Sequence, residues 1–380
     1  MVEHTPLRIL FLTTYSQLGG SSRYLVYNYL EYFERAGLHC TVSPLFDDTY
    51  FTFGLLSRPT GLGDIFRHFG YFVRRVAERL RALASAQHYD LVVIEKELLP
   101  YFPYTVEAVL SGRIRARVAL YDDATHVYYR RHPNPVIRFL CRGKIARVMR
   151  ASSHVIVWNE YLRDYALKHN PNVSVVNTAV DLRRYEVKRY GQEEPRGPVV
   201  LGWIGTPNSY PYLRTLEGAF RELAARYDLE LHVISSEPYD SPNIRVINKR
   251  WTIESEVDDL RAIDVGLMPL PDDEWTRGKS AAKAIQYMAV GVPAVCSPIG
   301  VNCQIIEDGV NGFLASGREE WTAKLAMLIE NPALRREIGL NGRRTVEAGY
   351  CLEVVAPRLI SSLRQVATGT GGYAQKCTAM

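Results

Sequence analysis

Arg277, Lys279 and Lys283 gather where an apolar run, Val265 to Met268, breaks into a polar loop and then into a helix expected from about Ser280 to Val290. Gly291 and Pro293 stop that helix. The first-turn N–H groups of a helix lack intrahelical partners, and the macrodipole is positive at that end. Cations placed there complete an anion site, suited above all to phosphate. Read alone, the K-x-x-x-K spacing is more simply a solvated basic helix start.

A second group, Asp122-Asp123-Ala124-Thr125-His126, follows the strand-like run Val118 to Tyr121. Two carboxylates and an imidazole at a strand tip are a polar constellation fit for acid–base or binding work. The same residues also read as a helix N-cap followed by a turn histidine, and their spacing does not require a metal. A third group, Gly19-Gly20-Ser21-Ser22-Arg23, joins the strand Leu7–Leu12 to a helix. Such a turn either lets a ligand approach the backbone or simply packs the helix. It is not G-x-G-x-x-G, and no acidic ribose ligand follows the next strand, which argues against a dinucleotide cofactor.

The elements that must position these groups alternate between strands and helices. Leu7–Leu12 is continuous and apolar, as a parallel strand covered on both faces should be. Further strands are expected at 38–44, 90–95, 118–121, 153–158 and 172–177, with helices over 21–36 and 64–86 and one opened by Pro133 and Pro135 that runs to about 151. The alternation restarts at Pro198–Ile204 and continues through strands at 230–235, 244–248 and 265–270, with helices at 213–227, 254–263, 319–330, 334–348 and 354–366. Phe46 to Leu62 has no period and reads as a loop. In helix 64–86, Phe66, Phe69, Phe72, Val73, Val76, Leu80 and Leu83 fall at helical spacing, with Arg67, Arg74, Arg75, Arg79 and Arg81 as the polar side. This pattern is read as an outer layer with a solvated charged face, in preference to a helix lying on a membrane.

A chain of 380 residues should form about two domains, and 47% hydrophobic with 23% charged residues is ordinary for a soluble globular protein. The net charge of +5 favours anionic ligands without demanding nucleic acid. Residues 60–150 carry 16 Lys and Arg against 8 Asp and Glu, an asymmetry that fits an anionic ligand or an acidic membrane surface. The 6 cysteines form no C-x-x-C pair, so reduced thiols and a cytoplasmic location are expected. No leader is read in the first residues. The uncharged run Ala284–Ile306 is interrupted by Gln286, Pro293, Pro298, Asn302 and Gln304, so it reads as buried helix, strand and turn.

From Gly278 to Gly312 the chain reads G-K-x-x-x-K-x-x-Q-Y-M-A-x-G-x-P, then S-P-x-G-V-N and I-E-D-G-x-N-G. This run resembles the C-terminal domain of the retaining GT-B glycosyltransferases of the glycosyl transferases group 1 (family 4-like) superfamily, and the likeness continues weakly over most of the chain. The resemblance implies an α/β chain with the GT-B fold, two Rossmann-like domains whose parallel sheets face a cleft. Residues 1–185 would be the acceptor-side domain, 186–197 the linker and 198–348 the nucleotide-sugar domain. Residues 349–366 would form a helix crossing back to the first domain, and 367–380 a disordered tail.

The implied activity is transfer of a sugar from a nucleoside diphosphate sugar to a hydroxyl acceptor, with retention of configuration and without a metal or other cofactor. Gly19, Gly20 and Arg23 would lie against the donor, and Glu95-Lys96-Glu97 at the carboxyl edge of the first sheet. Gly205 and Thr206 stand where most relatives carry a basic pair, so Lys279 and Lys283 are expected to neutralise the diphosphate instead. Of the two glutamates usual around this helix, Gln286 replaces the second, facing ribose, and Gly278 stands at the first. Contacts to the transferred sugar would then come from N–H groups near Ser280 and Ala281. Leu120 replaces the first acid of a D-x-D-D-A sequence, leaving Asp123 and His126, with Lys283, as the expected catalytic groups. A nucleotide-sugar epimerase or hydrolase of the same fold, and a non-catalytic nucleotide-sugar-binding subunit, stay open beside this reading. Partners would be the donor, a sugar, lipid-linked or small-molecule acceptor, and an anionic membrane met peripherally at its inner face. Nucleic acid is not among them.

Overall fold

The computed structural model describes residues 7–52, 61–112, 114–190 and 197–369. The expected loop at 46–62 falls partly on 53–60, and the expected tail mostly beyond 369. Those portions lie outside the described residues. Contacts divide the chain into two compact units, with boundaries at Val176/Asn177 and Val355/Ala356. The second boundary falls inside the helix Leu352–Ala367, beside Pro357.

The first unit is built on six parallel strands, β1 (Leu7–Tyr15), β2 (Leu38–Phe46), β3 (Leu91–Glu95), β4 (Arg117–Tyr121), β5 (His154–Val157) and β6 (Val173–Val175), in the order β2-β1-β3-β4-β5-β6. β3 and β4 are buried throughout, as the uninterrupted apolar runs require. The second unit holds β7 (Val199–Ile204), β8 (Leu229–Ser235), β9 (Arg245–Arg250), β10 (Val265–Met268), β11 (Ala294–Cys296) and β12 (Phe313–Leu314). Their order is β12-β11-β10-β7-β8-β9, again all parallel. Each sheet reverses direction once, between β1 and β3 and between β7 and β10. Open parallel sheets hold their ligands at the carboxyl ends beside such a reversal.

Three helices differ from expectation. The stretch 21–36 is not one helix but Gly20–Leu25, a 3₁₀ turn at Tyr27–Tyr29 and Leu30–Arg35, with Val26 out of helical geometry. After the break Tyr29 stacks on Phe33, and Phe33 on Phe11 of β1, with centroids 5.9 and 5.4 Å apart. The stretch opened by Pro133 and Pro135 is not one helix but Pro135–Leu140 and Lys144–Arg150, preceded by a separate helix Thr125–Arg130. Asn134 caps Pro135–Leu140 through Val136 N at 2.9 Å, and Gly143 at φ 71° separates it from Lys144–Arg150.

The third difference concerns polarity. Helix Leu62–Ala84 buries Arg75 and Arg79 and leaves Phe66, Phe69, Val73 and Leu80 exposed. The carbonyls at the ends of β1 and β2 explain the inversion. Arg79 donates to Thr13 O, and Arg75 to Leu45 O at 2.8 Å and Pro44 O at 2.6 Å, while Asp47 pairs with Arg75 at 3.0 Å. A guanidinium fork satisfies several acceptors that an apolar side chain would leave bare. Burial pushes the Arg79 pKa down to about 10, opposed by Glu95.

His154 on β5 meets Ser174 on β6 at 2.8 Å, and burial pushes its pKa down to about 4. Burial, with Arg150 and Lys168, also lowers His169. An unfolded histidine takes up its proton near pH 6.5, so protonation favours the unfolded chain. Stability is therefore fully present above about pH 6.5 and declines as the pH falls towards 4. Melting curves between pH 7 and 4.5 should show this loss, and His154→Gln should reduce it.

Candidate functional site

In the second unit the reversal between β7 and β10 is occupied by Tyr287. Its hydroxyl accepts from Ile204 N at 3.1 Å and donates to Leu267 O at 3.2 Å. Gly266 makes room, since a Cβ there would lie 2.3 Å from the Tyr287 ring. The helix carrying Tyr287, Ala282–Ala289, is thereby seated over the strand ends. Burial raises the Tyr287 pKa far from neutrality, so the phenol stays a donor.

The helix begins at Ala282, later than expected, because Ala281 adopts the left-handed conformation at φ 55° and makes no side-chain cap. The helix start is thus without a side-chain cap, and its dipole is positive at this end. Lys283 lies in the first turn, with Nζ 5.4 Å from the Trp203 ring centroid. Its Cε would be 3.0 Å, and the Trp203 ring 2.5 Å, from a Cβ at Gly205. The turn after β7 and the basic helix start are thus in direct contact, bringing Gly205 and Lys283 together, with exposed Thr206 next in the turn. Lys279 Nζ stands 5.2 Å over the Trp275 ring, and half-buried Ser280 bridges it to the helix.

The other charges of this loop have local duties. Arg277 grips Asp272 at 2.6 and 3.0 Å. Asp273 accepts from Trp275 N and Thr276 N at 2.8 and 2.9 Å, which shapes the turn. Gln286 is buried and donates to Tyr185 Oη at 3.2 Å. Tyr185 donates to buried Glu256 at 2.7 Å, and Trp251 Nε1 donates to the second Glu256 oxygen at 2.7 Å. The amide of Gln286 is thus engaged within the unit. A cavity of about 420 Å³ opens beyond the ends of β10 and β11, with Leu270, Asp272, Ser297 and Trp321 in its walls.

In the first unit the site residues surround the β1–β3 reversal. A Cβ at Gly19 would lie 2.3 Å from Tyr15 Cβ, whereas Gly20 faces open space. Glu95, buried at the end of β3, accepts from Thr14 N at 2.9 Å and from Ser22 Oγ at 2.5 Å, and Tyr15 N donates to Ser22 Oγ at 2.9 Å. Burial raises the Glu95 pKa, with Lys96 opposing. Lys96 Nζ donates to Ser21 Oγ at 2.9 Å and pairs with Asp122 at 3.0 Å, while Ser21 also donates to Asp122. Burial works against the Lys96 charge, but Asp122, Asp123 and Glu95 more than offset it and its pKa is raised.

Asp122 is therefore the carboxylate tied to the glycine turn, and Asp123 lies further out, 4.0 Å from Lys96. His126 is stacked on Tyr165 with centroids 3.6 Å apart. Arg23 is buried with its guanidinium 5.2 Å from the Tyr24 ring. Glu95 and Lys96, expected at the carboxyl edge of the first sheet, carried one signal of their own: a charged E-K-E run at the tip of an apolar strand. Trp203 and Tyr287 had none, because core aromatics look alike in sequence.

Among the described residues, no group of three His, Cys, Asp or Glu could hold a metal ion. Residues 198–331 match the family model described as glycosyl transferases group 1. Solved structures resemble the chain over nearly its whole length. Anabaena HepE in complex with UDP-glucose is 15% identical with a TM-score of 0.67, covering 94% of this chain and 100% of that one. Sucrose-phosphate synthase from Thermosynechococcus elongatus is 14% identical with a TM-score of 0.65, covering 96% and 100%. WaaG, a glycosyltransferase involved in lipopolysaccharide biosynthesis, is 12% identical with a TM-score of 0.64, covering 94% and 99%. At these identities the likeness is one of fold, and the two parallel six-stranded sheets with their flanking helices have the GT-B fold.

Proposed function

We propose that the chain transfers a glycosyl group from a nucleoside diphosphate sugar to a hydroxyl acceptor, with retention and without a metal. The observation that carries this reading is the contact of Lys283 with Gly205 at the uncapped helix start, inside the segment that matches the glycosyl transferase model. The anomeric C–O bond to the diphosphate breaks as the acceptor oxygen forms its own, and the acceptor proton passes to the departing phosphate. Charge grows on that phosphate, where Lys283, Lys279 and the first-turn N–H groups stabilise it increasingly. Ser280 N–H lies beside them for the transferred sugar. Gln286 is given a supporting role, because its amide orients Tyr185. In the first unit, Gly20 offers open backbone to the donor, and Asp123 with His126 stands on the acceptor side. HepE has been seen with UDP-glucose and with UDP and glucose, so uridine diphosphate sugars are the first donors to try.

The location proposed is cytoplasmic, with the first unit at an anionic membrane face. Among the described residues, no helix is long and apolar enough to cross a membrane. Helix Leu62–Ala84 instead exposes Phe66 (73%) and Phe69 (66%), with Val73 and Leu80 on the same stripe. Arg67, Arg74 and Arg81 recur at two-turn spacing beside them. Phe139 (80%) and Val136 are exposed on helix Pro135–Leu140. Apolar side chains bordered by arginines suit the headgroup region of an anionic bilayer.

UDP, GDP, dTDP, ADP and CDP should be compared by thermal shift, with and without EDTA. One nucleotide should raise the melting temperature equally in both. Lys283→Ala should shrink that shift and lower turnover by about tenfold or more while the fold persists. Gly205→Ala, which presses a methyl against Trp203, should weaken the same binding. Nucleotide binding unchanged in both variants would move the site elsewhere. On flotation, the chain should follow vesicles with about one-third phosphatidylglycerol and not pure phosphatidylcholine, and the double variant Phe66→Glu, Phe69→Glu should stay behind. Equal flotation of parent and variant would refute the membrane face.

A further inference from the structure

The loop leaving β3 holds two non-glycine residues in the left-handed region, Lys96 at φ 62° and Tyr101 at φ 68°. That conformation is unfavourable for any residue with a Cβ, and persists only where the surroundings impose it. The constraint on Tyr101 is a buried polar network. Lys144, fully buried, donates to Leu99 O at 2.6 Å, pairs with Glu97, and pairs with Glu107 at 3.2 Å. Glu107 accepts from Leu98 N at 3.0 Å. Tyr129 donates to Glu97 at 2.6 Å and accepts from Tyr101 N at 3.0 Å. Three charged side chains are thus taken out of water around a short loop. Their bonds to Leu98 N and Leu99 O, with that of Tyr129 to Tyr101 N, hold the backbone up to Tyr101.

What this scaffold presents is aromatic. Tyr101 and Tyr128 are 49% and 39% exposed, and their hydroxyls are 3.1 Å apart. Beneath them Tyr129 and His132 are buried. Tyr101 lies edge-on to His132 with centroids at 5.9 Å, and Tyr128 likewise at 5.3 Å. The loop bearing Tyr101 begins at Lys96 and the helix bearing Tyr128, Thr125–Arg130, follows Asp122, with Lys96 and Asp122 paired at 3.0 Å. Tyr15 packs with Phe46, Tyr50 and Phe51. The exposed rings therefore stand beside the Ser21–Lys96–Asp122 cluster at the β1–β3 reversal.

Flat rings next to carboxylates, an ammonium and phenol hydroxyls match one ligand chemistry closely. A pyranose has a C–H face that packs on an aromatic ring and a rim of hydroxyls that needs both donors and acceptors. A hydrocarbon chain would leave those polar groups unused. We propose that Tyr101 and Tyr128 form a subsite for a sugar ring, so that the acceptor is a saccharide or carries one. This rests on the sugar-transfer reading above and adds the acceptor's class and the residues that hold it.

The test is an array of immobilised mono- and oligosaccharides, probed with the full chain in the presence of UDP. In parallel, nucleotide binding is followed by thermal shift. The parent should bind at least one saccharide. Tyr101→Ala and Tyr128→Ala should each lower that signal by about tenfold or more, and Tyr101→Phe should retain most of it, since the ring face persists. Nucleotide shifts should be the same in all. Tyr101→Gly should lose saccharide binding with a melting temperature at or above the parent's, because glycine relieves the left-handed strain that a purely structural tyrosine would not carry. Saccharide binding unchanged in the alanine variants, or a parent that binds nucleotide and no saccharide on the array, would overturn the subsite. Saccharide binding without any nucleotide shift would leave the subsite standing and count against the donor site instead.

Discussion

The second unit depends on a phenol buried between two strand ends. Tyr287 bonds to Ile204 of β7 and to Leu267 of β10, so one side chain spans the point where the sheet reverses. A buried hydroxyl left unpaired would be costly, and here donor and acceptor functions are both met. Those two bonds set the height and rotation of the helix Ala282–Ala289, and with it the place of Lys283 against Gly205. The register pairing of Gly202 with Gly266 completes the arrangement: a Cβ at Gly202 would meet Ile263, and one at Gly266 would meet Tyr287. The contact of Lys283 with Gly205 is thus a consequence of packing below the helix, not of the lysines.

In the first unit charge takes the part that apolar packing takes in the second. Arg75 and Arg79 close the carbonyl-rich ends of β1 and β2, Glu95 ties the glycine turn to β3, and Lys144 organises the loop after β3. Buried charges are retained only where they are paired and hydrogen-bonded. Each of these meets backbone groups, so each fixes a loop and not merely a pair of residues. The apolar surface displaced from the inner face of helix Leu62–Ala84 is then left outward.

Strands were the legible part of the sequence, because a parallel strand buried on both faces is a continuous apolar run and needs no partner to be recognised. The stop of the key helix was legible from Gly291 and Pro293. Its start was not. Alanine is the best helix former, and nothing in Ser280-Ala281-Ala282 announces a left-handed residue imposed by tertiary packing. Helical periodicity placed Arg75 and Arg79 with the other arginines, since periodicity sorts residues by type and cannot register that strand-end carbonyls attract guanidinium groups. Among the site residues, the lysine pair and the two glycine turns were visible as local patterns. The joining of Lys96 to Asp122 and Ser21, and of Lys283 to Gly205, arises from chain topology and has no local signature.

The separation in sequence of the partners at Tyr287 bears on how the chain folds. Ile204 and Tyr287 lie 83 residues apart, and Val200 meets Asp264 across 64. Loop-closure entropy must be met before such contacts reward it. The adjacent pair β7 and β8 can associate through a short connection, but the reversal point waits until β10 has crossed over and its following helix has docked. During synthesis or refolding, the meeting of the turn after β7 with the start of helix Ala282–Ala289 is therefore among the last features to form, after most of the strands around it are already in place.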